Sequence, residues 1–373
     1  MMKPRLLDAM GDALARVRNS DLAGATALLR KALSGEAAKG GESDLKVQPQ
    51  RPPASAFAPA ARRPLGEVLR ALRVRPMIPP SAPDAPEPEP APELGERFLR
   101  RTYRGVAGSL NYRLYVPADH QRRDLALVLM LHGCLQDPED FALGTRMNDL
   151  AEEFGLIVAY PHQTRRANPS GCWNWFDRRH QNRGSGEPAK LAGLAQALAK
   201  EFDIRRERIF AAGLSAGGAM AEILAATYPD VFDAVGIHSG LPYQSAVDVP
   251  SAFTAMKGTA AADRPLAASD RRCRKIIFHG LADGTVNSVN GERILDEVEL
   301  GETPLTRSDL DWEIEGGGVT RTALKDADGR PVAEQWLVEG GGHAWFGGDP
   351  RGSYTQAVGL DASRVMVRFF LGQ

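Results

Sequence analysis

A serine lies between small residues in the stretch IFAAGLSAGGAMAE, which covers residues 209 to 222. Gly213 and Gly217 stand two positions before and two positions after Ser215. In a strand-to-helix turn tight enough to expose one side chain, these two neighbours approach each other, and a Cβ atom on either would collide. The Gly-x-Ser-x-Gly pattern therefore makes Ser215 a candidate nucleophile.

A serine hydroxyl attacks efficiently only when a base removes its proton, and the base needs a third group that fixes its tautomer. Two segments downstream of Ser215 supply such groups directly after predicted strands. Asp283 lies in FHGLADGTVN and His343 lies in EGGGHAWFGG. The order serine, acid, histidine is the chain order of the α/β-hydrolase fold. We therefore predict a catalytic triad of Ser215, Asp283 and His343.

Position alone leaves the identity of the acid open, because other aspartates also follow the serine, and five of them are alternatives: Asp233, Asp263, Asp270, Asp296 and Asp311. Asp283 is preferred because an apolar strand delivers it to the edge of the sheet where the serine lies, and because Gly284 lets the chain turn there. Among the seven histidines, His343 is preferred because the three glycines before it suit a loop that brings an imidazole close to other backbone.

Acyl transfer also needs donors for the oxyanion of the tetrahedral intermediate. The first expected donor is the backbone N–H of Ala216, at the N-terminus of the helix that follows the serine, where the helix dipole adds to its field. The second is the N–H of Cys134, which follows His132 and Gly133 at the end of the apolar run LVLML. We interpret His132 as a structural residue that hydrogen-bonds this loop.

Strands and helices alternate from about Gly95 onward. Apolar or alternating runs predict strands over 111–117, 126–131, 156–161, 208–213, 234–239, 275–280 and 333–340, with helices over 148–154, 191–202, 215–228 and 362–370. This alternation implies a mostly parallel sheet covered by helices on both faces, with its site at the carboxyl ends of the strands. We predict an α/β fold of the α/β-hydrolase type for residues 96–373.

The first 95 residues have a different character. Residues 1–34 carry two amphipathic helical runs separated by Asn19, Ser20 and Asp21, which predicts a helical hairpin. Residues 35–95 form a Pro/Ala-rich linker, since 13 of the 26 prolines fall between Pro49 and Pro92, with a short helix predicted over 64–74. The hairpin either docks on the main domain as a tail or binds a granule surface or a protein partner.

Composition narrows the classes of function. The 373 residues are 43% hydrophobic and 25% charged, enough for one large domain with additional segments, and the net charge of -1 provides no basic field for nucleic acid. No stretch is long and apolar enough to span a membrane. Asp8, Asp12 and Arg16 interrupt the N-terminus, so it does not have the pattern of a signal peptide, and a cytoplasmic location is expected. Three cysteines without zinc-ligand spacing predict neither a disulfide scaffold nor a metal site.

Taken together, the motifs HGC, GCWNWF, GLSAGGAMA, HGLADGTV and GGGHAWFGG make residues 100–371 resemble the polyhydroxybutyrate depolymerase family of esterases. That family is similar to feruloyl and acetylxylan esterases of the same fold. The resemblance implies cleavage of carboxylic esters without a cofactor. It also implies that Ser215, Asp283 and His343 form the triad and that the amides of Cys134 and Ala216 form the oxyanion hole.

The segment GCWNWF resembles the family's stretch beside the mouth of the active site. The resemblance implies that Cys172 pairs with Cys134, which would tie the oxyanion loop to the wall of the substrate site. A reducing cytosol works against a lasting disulfide. Either the two thiols are merely close, or burial protects the bridge. Cys273 has no evident partner and is interpreted as a buried thiol.

Side chains that flank the proposed site in sequence are candidates for substrate binding: Trp173, Asn174, Trp175 and Trp345, with Phe346 beside them. Aromatic faces suit an apolar polyester chain or an aryl ester equally well, and ordinary core packing is the alternative.

Three functions compete. The first is a serine esterase for short-chain hydroxyalkanoate polyester or its oligomers, and the second is an esterase for small feruloyl, acetyl or phthalate esters. The third is a non-catalytic binding protein with a hydrolase fold, which the intact triad disfavours. Transfer of the acyl group to an alcohol other than water stays open, because the same acyl-enzyme serves both outcomes.

Overall fold

The computed structural model describes residues 97–121, 124–259, 273–301, 304–315 and 317–373. The predicted hairpin of residues 1–34 and the predicted linker of residues 35–95, with its short helix, lie outside the described residues. Two of the alternative acids, Asp263 and Asp270, also lie outside them.

Within these residues, ten strands form one sheet and two further strands pair separately. The strands of the large sheet are β1 (Phe98–Gly105), β2 (Gly108–Tyr115), β3 (Ala126–Leu131), β4 (Leu156–Pro161), β5 (Ile209–Leu214), β6 (Ala234–His238), β7 (Arg274–Gly280), β8 (Thr306–Ile314), β9 (Gly317–Lys325) and β10 (Pro331–Val338). The separate pair consists of β11 (Trp345–Phe346) and β12 (Thr355–Gln356).

The helices in the same part of the chain are α1 (Pro138–Thr145), α2 (Met147–Phe154), α3 (Gly186–Glu201), α4 (Ala216–Thr227), α5 (Val249–Met256), α6 (Val289–Glu299) and α7 (Ala362–Leu371). Two short 3-10 helices cover Arg178–His180 and Arg206–Arg208. No helix among the described residues is long and apolar enough to cross a membrane.

The strand order of the large sheet is β1-β2-β4-β3-β5-β6-β7-β10-β9-β8. The central strands from β4 to β10 pair in parallel, while β1, β2, β9 and β8 pair antiparallel at the two edges. Because the central strands are parallel, the residues that follow β3, β4, β5, β6, β7 and β10 all leave the sheet at one edge. The predicted site residues are in these connections.

Strand β3 shows why the central strands read as unbroken apolar runs. All six of its residues are buried. Successive side chains point to opposite faces, so Leu127 and Leu129 enter the core on one face, while Val128 and Met130 enter the core on the other. Helices α3, α4 and α6 cover the first face, and α1, α2 and α7 cover the second. A strand buried on both faces needs no polar alternation, and the predicted fold class is confirmed.

The sequence pattern does not predict some elements at the periphery. Strand β8 has the sequence TRSDLDWEI and is exposed along almost its whole length, so no buried face marks it in the sequence. Helix α3 begins at Gly186, five positions before the predicted start at Leu191, because Pro188 is tolerated in a first turn where its missing N–H costs nothing. Strand β10 ends at Val338 rather than at Gly340.

Candidate active site

Ser215 occupies a strained turn between β5 and α4. Its backbone has φ 56° and ψ -117°, a conformation that residues with a Cβ rarely adopt. A Cβ on Gly217 would lie 2.0 Å from the carbonyl oxygen of Leu131, and a Cβ on Gly213 would lie 2.4 Å from the carbonyl carbon of Gly217. The backbone N–H of Ser215 donates to the carbonyl of His238 at 2.9 Å. The two glycines therefore permit the turn for the steric reason that the pattern predicts.

Asp283 and His343 are brought together from the ends of neighbouring strands β7 and β10. Nδ1 of His343 lies 2.8 Å from Oδ2 of Asp283. The Asp283 side chain is fully buried, while the side chain of His343 retains 12% of its exposure. An imidazole whose Nδ1–H donates to a carboxylate presents an unprotonated Nε2. The pair thus has the form of a base and the group that orients it.

The turn after β7 holds the Asp283 carboxylate in place. Oδ1 accepts the backbone N–H groups of Thr285 at 2.9 Å and Val286 at 2.8 Å. Burial acts to raise the pKa of Asp283, but the hydrogen bond and charge of His343 and the two amide donors outweigh it, so the pKa lies below its ordinary value. Asp283 is therefore ionised at neutral pH.

The glycine run before His343 lets that loop lie against the turn of Asp283. A Cβ on Gly280 would lie 2.1 Å from the carbonyl oxygen of Gly341, and the N–H of Ala282 donates to the same oxygen at 3.0 Å. The N–H of Gly342 donates to Oε1 of Gln356 at 2.7 Å. The loop is thus tied to both the acid turn and β12.

The described residues contain no hydrogen bond between the hydroxyl of Ser215 and His343. Catalytic hydrogen bonds are often long without substrate and shorten in the reacting complex. The end of β6 links the two loops, because His238 accepts the N–H of Ser215 through its carbonyl and the N–H of Phe346 through Nε2, at 2.9 and 3.2 Å. Residue His238 therefore fixes both the serine turn and the histidine loop.

Of the alternative acids that the structure describes, each lies away from His343. Asp233 precedes β6 and pairs with Arg274 at 2.8 Å, at the amino end of the strands. Asp311 lies on the exposed edge strand β8, and Asp296 lies in α6, where burial raises its pKa. Of the four candidate aspartates that the structure describes, only Asp283 contacts the imidazole of His343.

The loop after β3 lies beside the serine. A Cβ on Gly133 would lie 3.7 Å from the Cβ of Ser215, and the Gly133 N–H donates to Oε1 of Gln136 at 2.9 Å. The N–H groups of Cys134 and Ala216 have no protein acceptor within the part of the chain that the structure describes. Both amides are therefore free to meet an oxyanion at Ser215.

A disulfide joins Cys134 to Cys172, with their Cα atoms 4.3 Å apart. The N–H of Leu135 donates to the carbonyl of Ser170 at 2.9 Å, so the two loops are also joined by their backbones. Cys273 is a buried free thiol, and burial raises its pKa. The bridge ties the loop after β3 to the GCWNWF segment.

The structure buries most of that segment instead of exposing it to a substrate. Trp173 is fully buried and Trp175 is 6% exposed. The side chain of Asn174 is engaged within the protein, since its Nδ2 donates to Glu187 at 2.6 Å and its Oδ1 accepts from Asn168 at 2.9 Å. The prediction that these three residues contact substrate is therefore corrected: Trp173 and Trp175 pack in the core, and Asn174 anchors the segment.

Glu187 anchors the segment and was not singled out by the sequence. Its carboxylate, on the first turn of α3, accepts the backbone N–H of Asn174 at 2.8 Å and the side-chain amide of Gln163 at 2.5 Å. The residue is only 5% exposed. A buried glutamate in a stretch rich in charged and small residues carries no sequence signal, because its partners lie on other segments.

Trp345 is likewise in the core. The residue is 1% exposed, its ring stacks on His238 at 5.1 Å between centroids, and its Nε1 donates to the hydroxyl of Ser363 at 2.9 Å. Phe346 is fully buried. The prediction that Trp345 contacts substrate is therefore corrected: its side chain supports the loop of His343 from the core.

Three further histidines lie buried at the same edge of the sheet. His132 accepts the N–H of Gln163 at Nε2, and its Nδ1 lies 2.8 Å from the carbonyl of Gly133. Burial lowers its pKa to about 4. The pKa of His238 and that of His279 are also lowered by burial. These imidazoles are neutral structural groups, which confirms the interpretation of His132.

The strand order, the turn at Ser215 and the acid–histidine pair at the adjacent strand ends define an α/β-hydrolase. The family model described as Esterase PHB depolymerase matches residues 110–299. The chain belongs to this family.

The chain is also similar in sequence to known esterases. Poly(3-hydroxyalkanoate) depolymerase C of Paucimonas lemoignei is 30% identical over 250 residues, which cover 63% of this chain and 58% of the relative. Feruloyl esterase B of Neurospora crassa is 29% identical over 189 residues, covering 46% of this chain and 63% of the relative. The chain thus spans less than two thirds of the length of each. Among solved structures, an acetyl xylan esterase from Aspergillus awamori matches with a TM-score of 0.52 at 18% identity, covering 73% of this chain and 98% of that one, and shares the fold.

Proposed function

We propose that the chain is a serine carboxylic-ester hydrolase in which Ser215 is the nucleophile, His343 the base and Asp283 the orienting acid. The observation that carries the proposal is the 2.8 Å contact between Nδ1 of His343 and Oδ2 of Asp283, at the same edge of the sheet as the turn of Ser215. Membership of an esterase family supports the same chemistry.

In the first half-reaction, Nε2 of His343 takes the hydroxyl proton of Ser215 as Oγ forms a bond to the ester carbonyl carbon. The imidazolium that results is stabilised by the ionised carboxylate of Asp283. When the tetrahedral intermediate collapses, the bond to the leaving oxygen breaks and His343 returns the proton to that oxygen. The products are a free alcohol and an acyl-enzyme at Ser215.

In the second half-reaction, His343 takes a proton from water, and the oxygen of that water attacks the acyl carbon. The bond to Oγ then breaks, Ser215 recovers its proton from the imidazolium, and the carboxylic acid leaves. In both halves the negative oxygen is stabilised by the N–H groups of Cys134 and Ala216, the second of which also lies at the positive end of α4. The free state of these two amides supports the assignment.

The proposed substrate is a short-chain hydroxyalkanoate polyester or its oligomers. The relative from Paucimonas lemoignei, whose name gives this activity, supports it. Leu135 and Leu281, which follow β3 and β7 at the edge of Ser215, are 65% and 54% exposed and offer apolar contact to an aliphatic chain. A cytoplasmic location and a granule or protein partner bound through residues 1–34 belong to the same proposal.

A second candidate is an esterase for small feruloyl, acetyl or aryl esters. The relative from Neurospora crassa, named for action on feruloyl esters, favours it. In this case residues 1–34 have only a structural role.

The test is hydrolysis of amorphous polyhydroxybutyrate granules alongside soluble p-nitrophenyl butyrate, with the full chain and its Ser215→Ala variant. We expect the full chain to release acid from both substrates and the variant to release acid from neither. Turnover of the soluble ester without granule hydrolysis would favour the small-ester candidate. A third chain that lacks residues 1–95 tests the partner proposal, which expects granule hydrolysis to fall while soluble-ester turnover is kept.

A further inference from the structure

A cleft of about 720 Å³ lies next to the loop that follows β3. One wall comes from β1 and β2, and the other comes from residues 135–139 and from 162–171, which the disulfide joins. Four arginines line it: Arg100, Arg101, Arg113 and Arg165. Two acids, Asp137 and Glu139, also line it. The cleft is therefore polar, with more positive than negative side chains.

Ion pairs within the protein engage three of these arginines, two of them closely. Arg113 donates from Nε to Glu139 at 2.7 Å, and Arg101 pairs with Glu201 at 2.7 Å. Asp137 caps α1 by accepting the N–H of Asp140 at 2.8 Å. The carboxylates near the cleft are thus engaged with partners of the protein itself.

The other two arginines are less engaged, because Arg100 makes only a longer ion pair and Arg165 makes none that the structure describes. Arg100 has a side chain that is 79% exposed and lies 3.5 Å from Glu139, a carboxylate that Arg113 already neutralises. Arg165 makes no ion pair or hydrogen bond with any residue that the structure describes. A planar guanidinium with free N–H groups is suited to a carboxylate, which it binds through two parallel hydrogen bonds.

The cleft is close to the serine along the chain. A Cβ on Gly133 would lie 3.7 Å from the Cβ of Ser215, and Leu135, two residues later, lines the cleft. Two residues of extended chain span about 7 Å at most. The side chain of Leu135 is 65% exposed and presents an apolar surface beside the arginines. An ester held at Ser215 can therefore extend over Leu135 into the cleft.

We propose that this cleft binds the terminal carboxylate of an ester oligomer, with Arg100 and Arg165 as specificity-determining residues. The inference rests on the proposed ester hydrolysis and names which substrates are preferred. Oligomers that end in a free carboxylate bind with that end between the two guanidinium groups, while their aliphatic part crosses Leu135. An oligomer whose carboxylate is capped as a methyl ester loses this interaction.

The experiment compares the linear trimer of 3-hydroxybutanoate as the free acid and as its methyl ester. Both are assayed with the full chain, with the double variant Arg100→Gln/Arg165→Gln and with the matched control Arg166→Gln, an exposed neighbour outside the cleft. Hydrogen bonds to charged groups predict a preference for the free acid of about tenfold in kcat/KM, expressed in KM. We expect the double variant to lose this preference, with methyl-ester turnover unchanged, and the control to keep it.

Calorimetric binding to Ser215→Ala, with and without the double substitution, separates this inference from the proposed function. If the chain hydrolyses no ester but the free acid still binds tenfold more tightly than the methyl ester, and the double substitution removes that difference, the proposed function fails and the cleft assignment stands. Equal binding of both trimers, or a preference that survives the double substitution, overturns the inference. So does binding of monomeric 3-hydroxybutanoate as tight as that of the trimer, because it indicates an independent anion site.

Discussion

The loop of His343 and the buried layer of His132, His238 and His279 lie at the same edge of one sheet, yet they hold imidazoles in different surroundings. His132, His238 and His279 have no exposure, and burial lowers their pKa values. His343 retains access to solvent and contacts an ionised carboxylate through Nδ1. Residue type and position at the sheet edge therefore do not select the base. Access and the hydrogen bonds already made select it.

The buried layer has a separate task, which is to hold the loops in place. His132 joins the loop after β3 to the backbone of Gln163, and His238 receives the N–H of Phe346 from the loop of His343. A neutral imidazole with one donor and one acceptor suits this task, whereas a protonated one loses its acceptor. In the proposed mechanism one region performs the chemistry, and the other maintains its geometry.

The largest effect is expected from His343→Gln. Removing the base should lower kcat for p-nitrophenyl butyrate by about 10⁴- to 10⁶-fold, with little change in the denaturant midpoint. His120→Gln, at an exposed position outside the site, is the control and should retain full activity. A fall of less than tenfold in the His343 variant would remove the contrast between the two regions.

The next effect is expected from Asp283→Asn. An amide in place of the carboxylate donates to Nδ1 and so favours the wrong tautomer of His343, which should lower kcat by about 10³- to 10⁴-fold. Asp311→Asn, on the exposed strand β8, is the matched control and should leave kcat unchanged. Equal losses in both variants would contradict the assignment of Asp283.

A smaller effect is expected from opening the disulfide. The Cys134→Ser/Cys172→Ser variant frees a loop of 38 residues, and the chain-entropy relation gives a loss of roughly 4 kcal/mol in the free energy of unfolding. Urea unfolding of the variant and of the oxidised chain measures this loss. A full free-thiol count in protein purified without reductant would show instead that the two cysteines remain unbridged.

The smallest effect is expected in the dependence of stability on pH. The folded pKa of His132 is about 4, below the unfolded value of roughly 6.5, so the unfolded chain binds the proton first as the pH falls. The contribution of His132 to the free energy of unfolding is fully present above pH 6.5 and is lost toward pH 4. This contribution is at most about 3 kcal/mol. In urea unfolding measured from pH 7.5 to 4.5, the free energy of unfolding should fall less steeply with decreasing pH for His132→Gln than for the unchanged chain. Identical slopes would mean that His132 is not buried in its neutral form.

The sequence predicts the central strands closely because burial on both faces requires nearly every residue in them to be apolar. The observed bounds of β3 and β4 equal the predicted ones, since a strand buried on both faces has a continuous apolar run, and a histidine ends each run. Strand β8 is not predicted from the sequence, because it is exposed on both faces and its residues therefore show no apolar pattern. Its place in the sheet is set by pairing with β9, which no local pattern reveals.

The site shows the same division. Ser215 and the glycines around it carry a local steric signal, and Asp283 and His343 are marked by the ends of strands. The substrate wall is harder to predict, because Trp345 stands two positions from His343 in sequence but its ring points into the core beneath the loop. Sequence proximity to a site therefore does not predict contact with its substrate.

The role of Ser215 as nucleophile is tested most directly by reaction of the chain with an acyl-ester-mimicking phosphonate, followed by mass spectrometry of its peptides. We predict a single covalent adduct on Ser215, formed in the unchanged chain and in His120→Gln but suppressed in His343→Gln. An adduct on another residue, or an unlabelled Ser215 in a chain that hydrolyses p-nitrophenyl butyrate, would contradict this prediction.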